Sequence, residues 1–358
     1  MKLYPLKFGK VYKDYIWGGR NLDKIGKELP SSGNVAESWE LSCHKNGMST
    51  ISNGEYSGMT LEEYINKFGC EAIGKALPQK DLDKFPLLIK FIDANDSLSV
   101  QVHPSDEYAF KNENGELGKN EMWYILSAES EATLVAGVAN GVTKESFAEA
   151  IKNNTVEECL NYIQVKEGDF INIPDGLVHA IGKGIILAEV QQNSDTTYRV
   201  YDYNRVGADG KTRPLHVEKS LETINFSYTG EVCKSAKGLK FKIGENAEKT
   251  VKIANKYFSI ELYEIDNGAT EENADGEKFS VYIICSGAGK ITYDGGELDV
   301  KMGETLLIPA AMGEYKIEGT LKAVKSYVPN LQKDVIDVLL KNSFSIDEIN
   351  KNVEGLQQ

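Results

Sequence analysis

His103, Glu121 and His179, with Gln101 alongside, are the candidate ligands of this sequence for a divalent ion. From Asp96 to Tyr108 the chain alternates as a half-buried strand does. Leu98, Val100 and Val102 fall on one face, and Ser99, Gln101 and His103 on the other. Gln101 and His103 therefore project side by side, and Pro104, with no N–H for a ladder, ends the strand. Imidazole and carboxylate donors suit Zn²⁺ or a similar ion, and three protein ligands with an open position is the arrangement of catalytic sites. The other two histidines, His44 and His216, sit in turn-like sequence and are expected to be surface or structural residues. Three cations stand near these donors in sequence or pattern. Lys90 interrupts the apolar run from Phe85 to Asp93, so it either snorkels or is aimed at something. Lys119 lies two positions before Glu121. Arg199 shares a strand with Tyr201 and Tyr203, and its planar, permanently charged guanidinium can steady an oxyanion or grip an anionic group.

The elements that must position these residues are mostly strands. Alternating or apolar runs predict strands at Ala36–Ser42, Phe85–Asp93, Gly118–Leu126, Ala132–Gly137, Phe170–Pro174, Gly184–Gln191 and Thr197–Tyr203, with a further β-rich region from Tyr257 to Val328. Helical spacing is expected from about 60 to 83, where Thr60 and Glu63 form a capping box, and again from 143 to 161. The tail from Gln332 predicts a terminal helix with a loose end. One segment recurs. Gly168-Asp169-Phe170-Ile171-Asn172-Ile173-Pro174 matches Gly303-Glu304-Thr305-Leu306-Leu307-Ile308-Pro309, and the same offset places Glu314 opposite His179. Trp123-Tyr124-Ile125-Leu126-Ser127 and Tyr282-Ile283-Ile284-Cys285-Ser286 match more loosely. Repeated β units of this size point to two similar sandwich or barrel domains.

Gly168, Pro174, Gly176 and His179 fall at the marks of a motif of the cupin superfamily, whose members are small double-sheet β-barrels. The run Ala180-Ile181-Gly182-Lys183 lacks the asparagine usual in that motif, and the second copy has lost its glycine and histidine. A sharper resemblance follows from the ordered set Gln101-Val102-His103-Pro104, Lys119-Asn120-Glu121-Met122-Trp123-Tyr124, His179-Ala180 and Tyr198-Arg199-Val200-Tyr201-Asp202-Tyr203. From about Tyr4 to Tyr327 the chain resembles the short bacterial form of type I mannose-6-phosphate isomerase; the tail beyond Gln332 exceeds that form.

The resemblance implies a mainly β fold of two cupin-like double-sheet β-barrel (jelly-roll) domains with helical insertions and a C-terminal helix. Residues 1–235 would be the catalytic domain, 236–330 a second cupin domain without metal ligands, and 331–358 the helical tail. It also implies one Zn²⁺ per chain on Gln101, His103, Glu121 and His179. The implied reaction interconverts mannose 6-phosphate and fructose 6-phosphate through a cis-enediol. Arg199 carries a catalytic role, Glu189 is an acid–base candidate, and Lys90 and Lys119 are the spare cations of the site, Lys119 with Arg199 facing the substrate. Trp17 and Glu37 are expected to be structural residues, with packing near the pocket as the alternative. The rival readings are a two-barrel protein that senses a sugar or metal without turnover, and another metal enzyme such as an Fe(II) dioxygenase, which Gln101 beside the His/Glu/His set disfavours.

Composition bounds these readings. The chain has 358 residues, enough for two domains, and a formal net charge of −14. With no Lys/Arg-dense block, nucleic acid and acidic membranes are not expected partners; a small sugar phosphate is, bound by a monomer or homodimer. The five cysteines are scattered and form no C-x-x-C, which predicts free thiols in a reducing compartment. The start shows no signal peptide and no apolar run approaches a membrane span, so a cytoplasmic location is expected.

Overall fold

The fold is mainly β, and the computed structural model describes residues 2–77, 84–207, 210–230 and 234–356. In chain order the strands of the first half are β1 (Leu6–Lys7), β2 (Val11–Lys13), β3 (Glu37–Leu41), β4 (Leu87–Ala94), β5 (Val100–Val102), β6 (Glu121–Ala128), β7 (Thr133–Val138), β8 (Leu160–Gln164), β9 (Phe170–Ile173), β10 (His179–Ile181), β11 (Ile185–Gln192) and β12 (Tyr198–Tyr201). The second half adds β13 (Leu239–Ala254), β14 (Ser259–Ala274), β15 (Ser280–Tyr293), β16 (Gly296–Lys301), β17 (Thr305–Ile308) and β18 (Gly313–Tyr327).

The first half is a double sheet. One layer runs β2-β3-β4-β11-β6-β9 and the other β12-β5-β10-β7-β8. Ile92, Leu98, Trp123, Ile125, Leu134, Ile173, Ile181 and Leu187 pack between the layers. β4 is buried along its whole length, which explains its almost continuous apolar run. Its odd-numbered members Leu87, Ile89 and Phe91 face a second core shared with Phe279, Tyr282 and Ile284. Lys90 therefore points the other way, into the space between the two layers; it is aimed, not snorkelling.

The second half is one sheet, β1-β17-β15-β18-β14-β13, with β16 on β15. It is cupin-like but is not a separate pair of layers closed into a barrel; long strands bend at bulges such as Asp266/Gly268 and Ile284/Ser286. β1, from the start of the chain, pairs with β17 and ties the two halves together.

The internal repeat is real at the level of register. β6 pairs with β9 through Trp123↔Ile171, and β15 with β17 through Tyr282↔Leu306. Gly168 N–H donates to Ile125 O and Gly303 N–H to Ile284 O, each at 2.9 Å. Both glycines are left-handed, at φ +90° and +83°, a conformation that costs a side-chain-bearing residue free energy. Glu314 is not the counterpart of His179, however. The row Lys90↔Glu189↔Trp123 corresponds to Glu261↔Lys325↔Tyr282. Counting back equally from Glu189 to His179 and from Lys325 leads to Tyr315, because the turn after Pro309 is longer than the one after Pro174. Tyr315 is buried and shares a 2.9 Å hydrogen bond with the Tyr282 hydroxyl, whereas Glu314 is exposed.

Three local expectations need correction. The helix expected over 143–161 runs only over Lys144–Asn153, under a Thr143/Ser146 capping box. Asn154 then turns left-handed at φ 58°, and a 3₁₀ turn, Val156–Cys159, leads into β8. β13 went unforeseen because charged residues fill much of it, Lys249 on its inner face included. The tail is not loose. Leu331–Ile336 and Asp337–Lys341 form one helical run and Ile346–Asn352 another, and Val335, Leu339, Ile349 and Val353 pack on Leu239, Val251 and Ala254. Leu339→Ala should lower the free energy of unfolding by about 2–5 kcal/mol, read from denaturant titration, since a fully buried leucine leaves a cavity. An unchanged midpoint would show that the tail lies outside the cooperative fold.

The helix expected near the start is present as Leu61–Phe68, with Thr60 and Glu63 capping each other, and Cys70–Ile73 follows; the stretch 78–83 of that expectation lies outside the described residues. Cys43, Cys70, Cys159 and Cys285 are free thiols; Cys233 is not among the described residues. No helix among the described residues is long and apolar enough to cross a membrane.

Candidate active site

β5, β6 and β10 bring the expected ligands together. His179 opens β10 and pairs directly with Gln101 on β5. His103 follows β5, and Glu121 opens β6. One donor atom each from His103, Glu121 and His179 lie within 4.8 Å of one another, and all three residues are buried. Nδ1 of His103 faces Thr196 O at 3.0 Å and Nδ1 of His179 faces Leu177 O at 2.8 Å. Each Nδ1–H thus donates to a main-chain carbonyl, which directs both Nε2 lone pairs inward. The two Nε2 atoms stand 3.2 Å apart, and the Gln101 amide reaches His179 Nε2 at 3.2 Å.

Burial keeps both imidazoles neutral. It lowers the pKa of His103 to about 3, helped by the Lys119 charge, and lowers that of His179. The buried Glu121 carboxylate has no aligned hydrogen-bond donor on either oxygen. Burial alone would raise its pKa, but the adjacent Lys119 charge outweighs that and holds it well below its ordinary value. Two facing imidazole lone pairs and a buried carboxylate that ordinary hydrogen bonds leave open form a donor set that fits a divalent ion. Lys119, expected to face substrate, reaches into this cluster, 2.7 Å from Glu121 Oε1 and 3.2 Å from His103 Nε2.

Beside the cluster lies a polar cavity of about 270 Å³, lined by Gln101, Lys119, Lys90, Glu189 and Arg199 among others. Lys90 and Glu189 are paired across β4 and β11, with Nζ 3.3 Å from Glu189 Oε1 and 3.7 Å from Glu37 Oε2. Burial would lower the Lys90 pKa, yet Glu37 and Glu189 together raise it above the ordinary value, so Lys90 remains an ammonium. Glu189 is raised, first by burial and next by the Glu121 charge, with Lys90 opposing. Its Oε2 accepts from Trp123 Nε1 at 2.9 Å, and the Trp123 ring packs edge-on against His179. Arg199 sits across from Gln101 on β12. Its Nε donates to Ser99 Oγ at 3.3 Å and its Nη1 to Pro214 O at 2.9 Å, so the guanidinium is held at the cavity wall.

Every expected site residue is therefore in or beside one cavity. Trp17 and Glu37, expected to be structural residues, line it as well. Ser99, on the strand face of Gln101 and His103, lines it too, and so do Tyr15, Asp195 and Arg213, which were not singled out. Arg213 is clamped on Asp202, with Nε 2.7 Å from Oδ2. The only hint in the sequence was the cluster Asp202, Arg205 and Arg213 around a turn. His216 is structural, as expected, but close to the site: its Nδ1 accepts the Arg199 N–H at 3.1 Å. His44 is buried and accepts from Asn46 N–H.

The fold and this cluster define a cupin-like β protein with a candidate metal-binding cluster beside a small polar cavity. Residues 5–127 match the model of the type I phosphomannose isomerase catalytic domain, and 247–328 that of the mannose-6-phosphate isomerase cupin domain. A mannose-6-phosphate isomerase of Bacillus subtilis is 39% identical over 332 residues, covering 92% of this chain and 100% of the relative. One of Streptococcus mutans is 35% identical, covering 90% and 98%. A crystal structure of the mannose 6-phosphate isomerase from Bacillus subtilis superposes with a TM-score of 0.82 at 34% identity, over 90% of this chain and 99% of that one. The chain belongs to the type I mannose-6-phosphate isomerase family.

His103, Glu121 and His179 form the one His/Cys/Asp/Glu cluster of this kind among the described residues. Elemental analysis of metal-saturated, dialysed protein should give one divalent ion per chain; two tightly held ions would contradict that.

Proposed function

We propose that this chain interconverts mannose 6-phosphate and fructose 6-phosphate through a cis-enediol, with one zinc ion held by Gln101, His103, Glu121 and His179. What carries the reading is the convergence of His103, Glu121 and His179 beside a cavity walled by Lys90, Glu189 and Arg199, in a chain whose relatives bear that enzyme's name. When bound, the ion supplies Lewis acidity toward a sugar oxygen.

The chain's own residues do the rest. An aldose–ketose exchange moves a proton between C1 and C2. Glu189, its pKa raised by burial, is suited to take that proton and return it. Lys90 stays charged and holds Glu189 Oε1 in place. Arg199, fixed by Ser99 and Pro214, sets a permanent positive charge where an enediolate oxygen would develop, and with Lys119 it binds the anionic substrate. In this reading residues 1–235 are the catalytic domain, 236–330 a cupin domain without metal ligands, and 331–358 a bracing tail.

The test is a coupled assay on purified, zinc-loaded protein. Mannose 6-phosphate should be converted to fructose 6-phosphate, with activity lost on chelation and restored by added metal. Absence of turnover in the loaded protein would overturn the reading.

A further inference from the structure

The turn between β13 and β14 reaches out of the second half of the molecule toward the candidate site. Asn255, itself buried, accepts the N–H groups of Tyr257 and Phe258 at 2.8 and 3.0 Å, and Phe258 is fully buried, so the turn is stiff. From it the Tyr257 hydroxyl donates to Asp106 Oδ2 at 2.8 Å. The other oxygen of Asp106 accepts from Gly118 N–H at 2.9 Å and Gln192 Nε2 at 3.0 Å. Gln192 Oε1 in turn accepts both the main-chain N–H and the side-chain amide of Asn120, at 3.0 and 2.9 Å. Asn120 Oδ1 accepts from Asp175 N–H at 3.1 Å, and Gly176 N–H donates to His103 O at 2.9 Å.

These bonds join the three segments that carry the metal-type donors. Asp106 lies just after His103, Gly118 and Asn120 flank Lys119 and precede Glu121, and Asp175 lies on the turn before His179. Gly118 approaches so closely that an added Cβ would stand 2.4 Å from Asp106 N. Asp106 is a carboxylate: its three hydrogen bonds, with the Lys256 charge, hold its pKa below the ordinary value against the effect of burial. Within this chain of hydrogen bonds, Tyr257 is the one member that comes from the second half.

We propose that Tyr257 is a positioning residue: through Asp106 and Gln192 it holds the Gly118–Glu121 segment, and so Lys119 and Glu121, in the geometry of the site. The second, metal-free cupin unit thereby takes part in the site without touching substrate. Only the kinetic readout below rests on the isomerase reading.

The experiment compares Tyr257→Phe with wild type and with Tyr282→Phe, which removes a hydroxyl paired to Tyr315 deep in the same unit. In Tyr257→Phe, amide exchange at Gly118 and Asn120 should quicken, and zinc release to a chelating dye should be about 3–10-fold faster. That is less than the roughly 10–100-fold change seen when a direct partner of a metal ligand is lost. The kcat for mannose 6-phosphate should fall about 3–10-fold with KM nearly unchanged. Tyr282→Phe should leave all of these at wild-type values. Adding Asp106→Asn to Tyr257→Phe should cost less than the sum of the two single changes, as expected for one network. Wild-type exchange and zinc release in Tyr257→Phe would overturn the proposal, as would equal effects from Tyr282→Phe. Should the wild-type protein show no turnover, the isomerase reading falls, and exchange and zinc release still decide the role of Tyr257.

Discussion

His179→Ala should leave the chain folded, nearly free of metal and without measurable turnover. Three features of this side chain set the size of the effect. It is fully buried, its Nδ1–H is fixed on Leu177 O, and its Nε2 lies within 3.2 Å of both His103 Nε2 and the Gln101 amide. Losing a mere partner of a metal ligand costs about 10–100-fold in affinity, so losing the ligand should cost at least that. Because bound metal supplies several kcal/mol of charge stabilisation, activity at low added zinc should fall by about 10³-fold or more. Truncation also removes the edge-on contact with Trp123, so a modest loss of stability is expected alongside. His179→Asn keeps a smaller polar side chain and separates the two causes: its stability should recover more than its zinc content. Normal zinc and normal turnover in His179→Ala would remove this residue from the site.

The ligand cluster was legible in the sequence because its signals are local. Gln101 and His103 share the phase of one strand, and His179 follows the glycine–proline spacing of a turn that the chain uses twice. Glu189 and Lys90 were legible as residues but not as a pair, since their contact exists only once β4 and β11 lie side by side. Arg213 and Asp195 come from separate segments with no shared period; a turn shared with Asp202 and Arg205 was the one hint of the first, and nothing local marked the second. The mistaken partner for His179 has a plain cause: an insertion in one turn leaves the preceding strands in step and shifts everything after them. Once register corrects it, Lys249, Glu261 and Lys325 stand where Glu37, Lys90 and Glu189 stand in the first half. The charges are inverted along the row. The first row opens on the cavity and keeps Glu189 Oε1 without an aligned donor. In the second, Glu261 accepts from Tyr327 at 2.9 Å and lies 3.2 Å from Lys249, and Lys325 donates to Glu272 at 2.8 Å. A polar row that is satisfied internally stabilises a fold, and one left partly open is available for chemistry.

Arg199→Ala should keep its metal and its fold and lose most of its turnover. The guanidinium bonds Ser99 Oγ and Pro214 O and makes no contact with His103, Glu121 or His179 among its hydrogen bonds, so the ligand cluster is untouched. The link to His216 survives as well, because it runs through the Arg199 main-chain N–H. What disappears is a fixed positive charge on the cavity wall. Burial, with Arg213 beside it, lowers the Arg199 pKa, but from a starting point so high that the group stays charged at any working pH. Removing one preorganised donor of this kind costs about 10²–10³ in kcat, or roughly 3–4 kcal/mol. Arg199→Lys returns the charge without the planar fork, so it should recover part of the loss and no more. The split between parameters identifies the role. A fall in kcat with KM held places the charge at the transition state, while a rise in KM with kcat held means that Arg199 grips the phosphate equally throughout. Steady-state kinetics and zinc analysis on the purified variant decide between these outcomes. Unchanged kcat and KM at normal zinc content would exclude Arg199 from both roles and leave Lys90, Lys119 and Arg213 as the other cations lining the cavity.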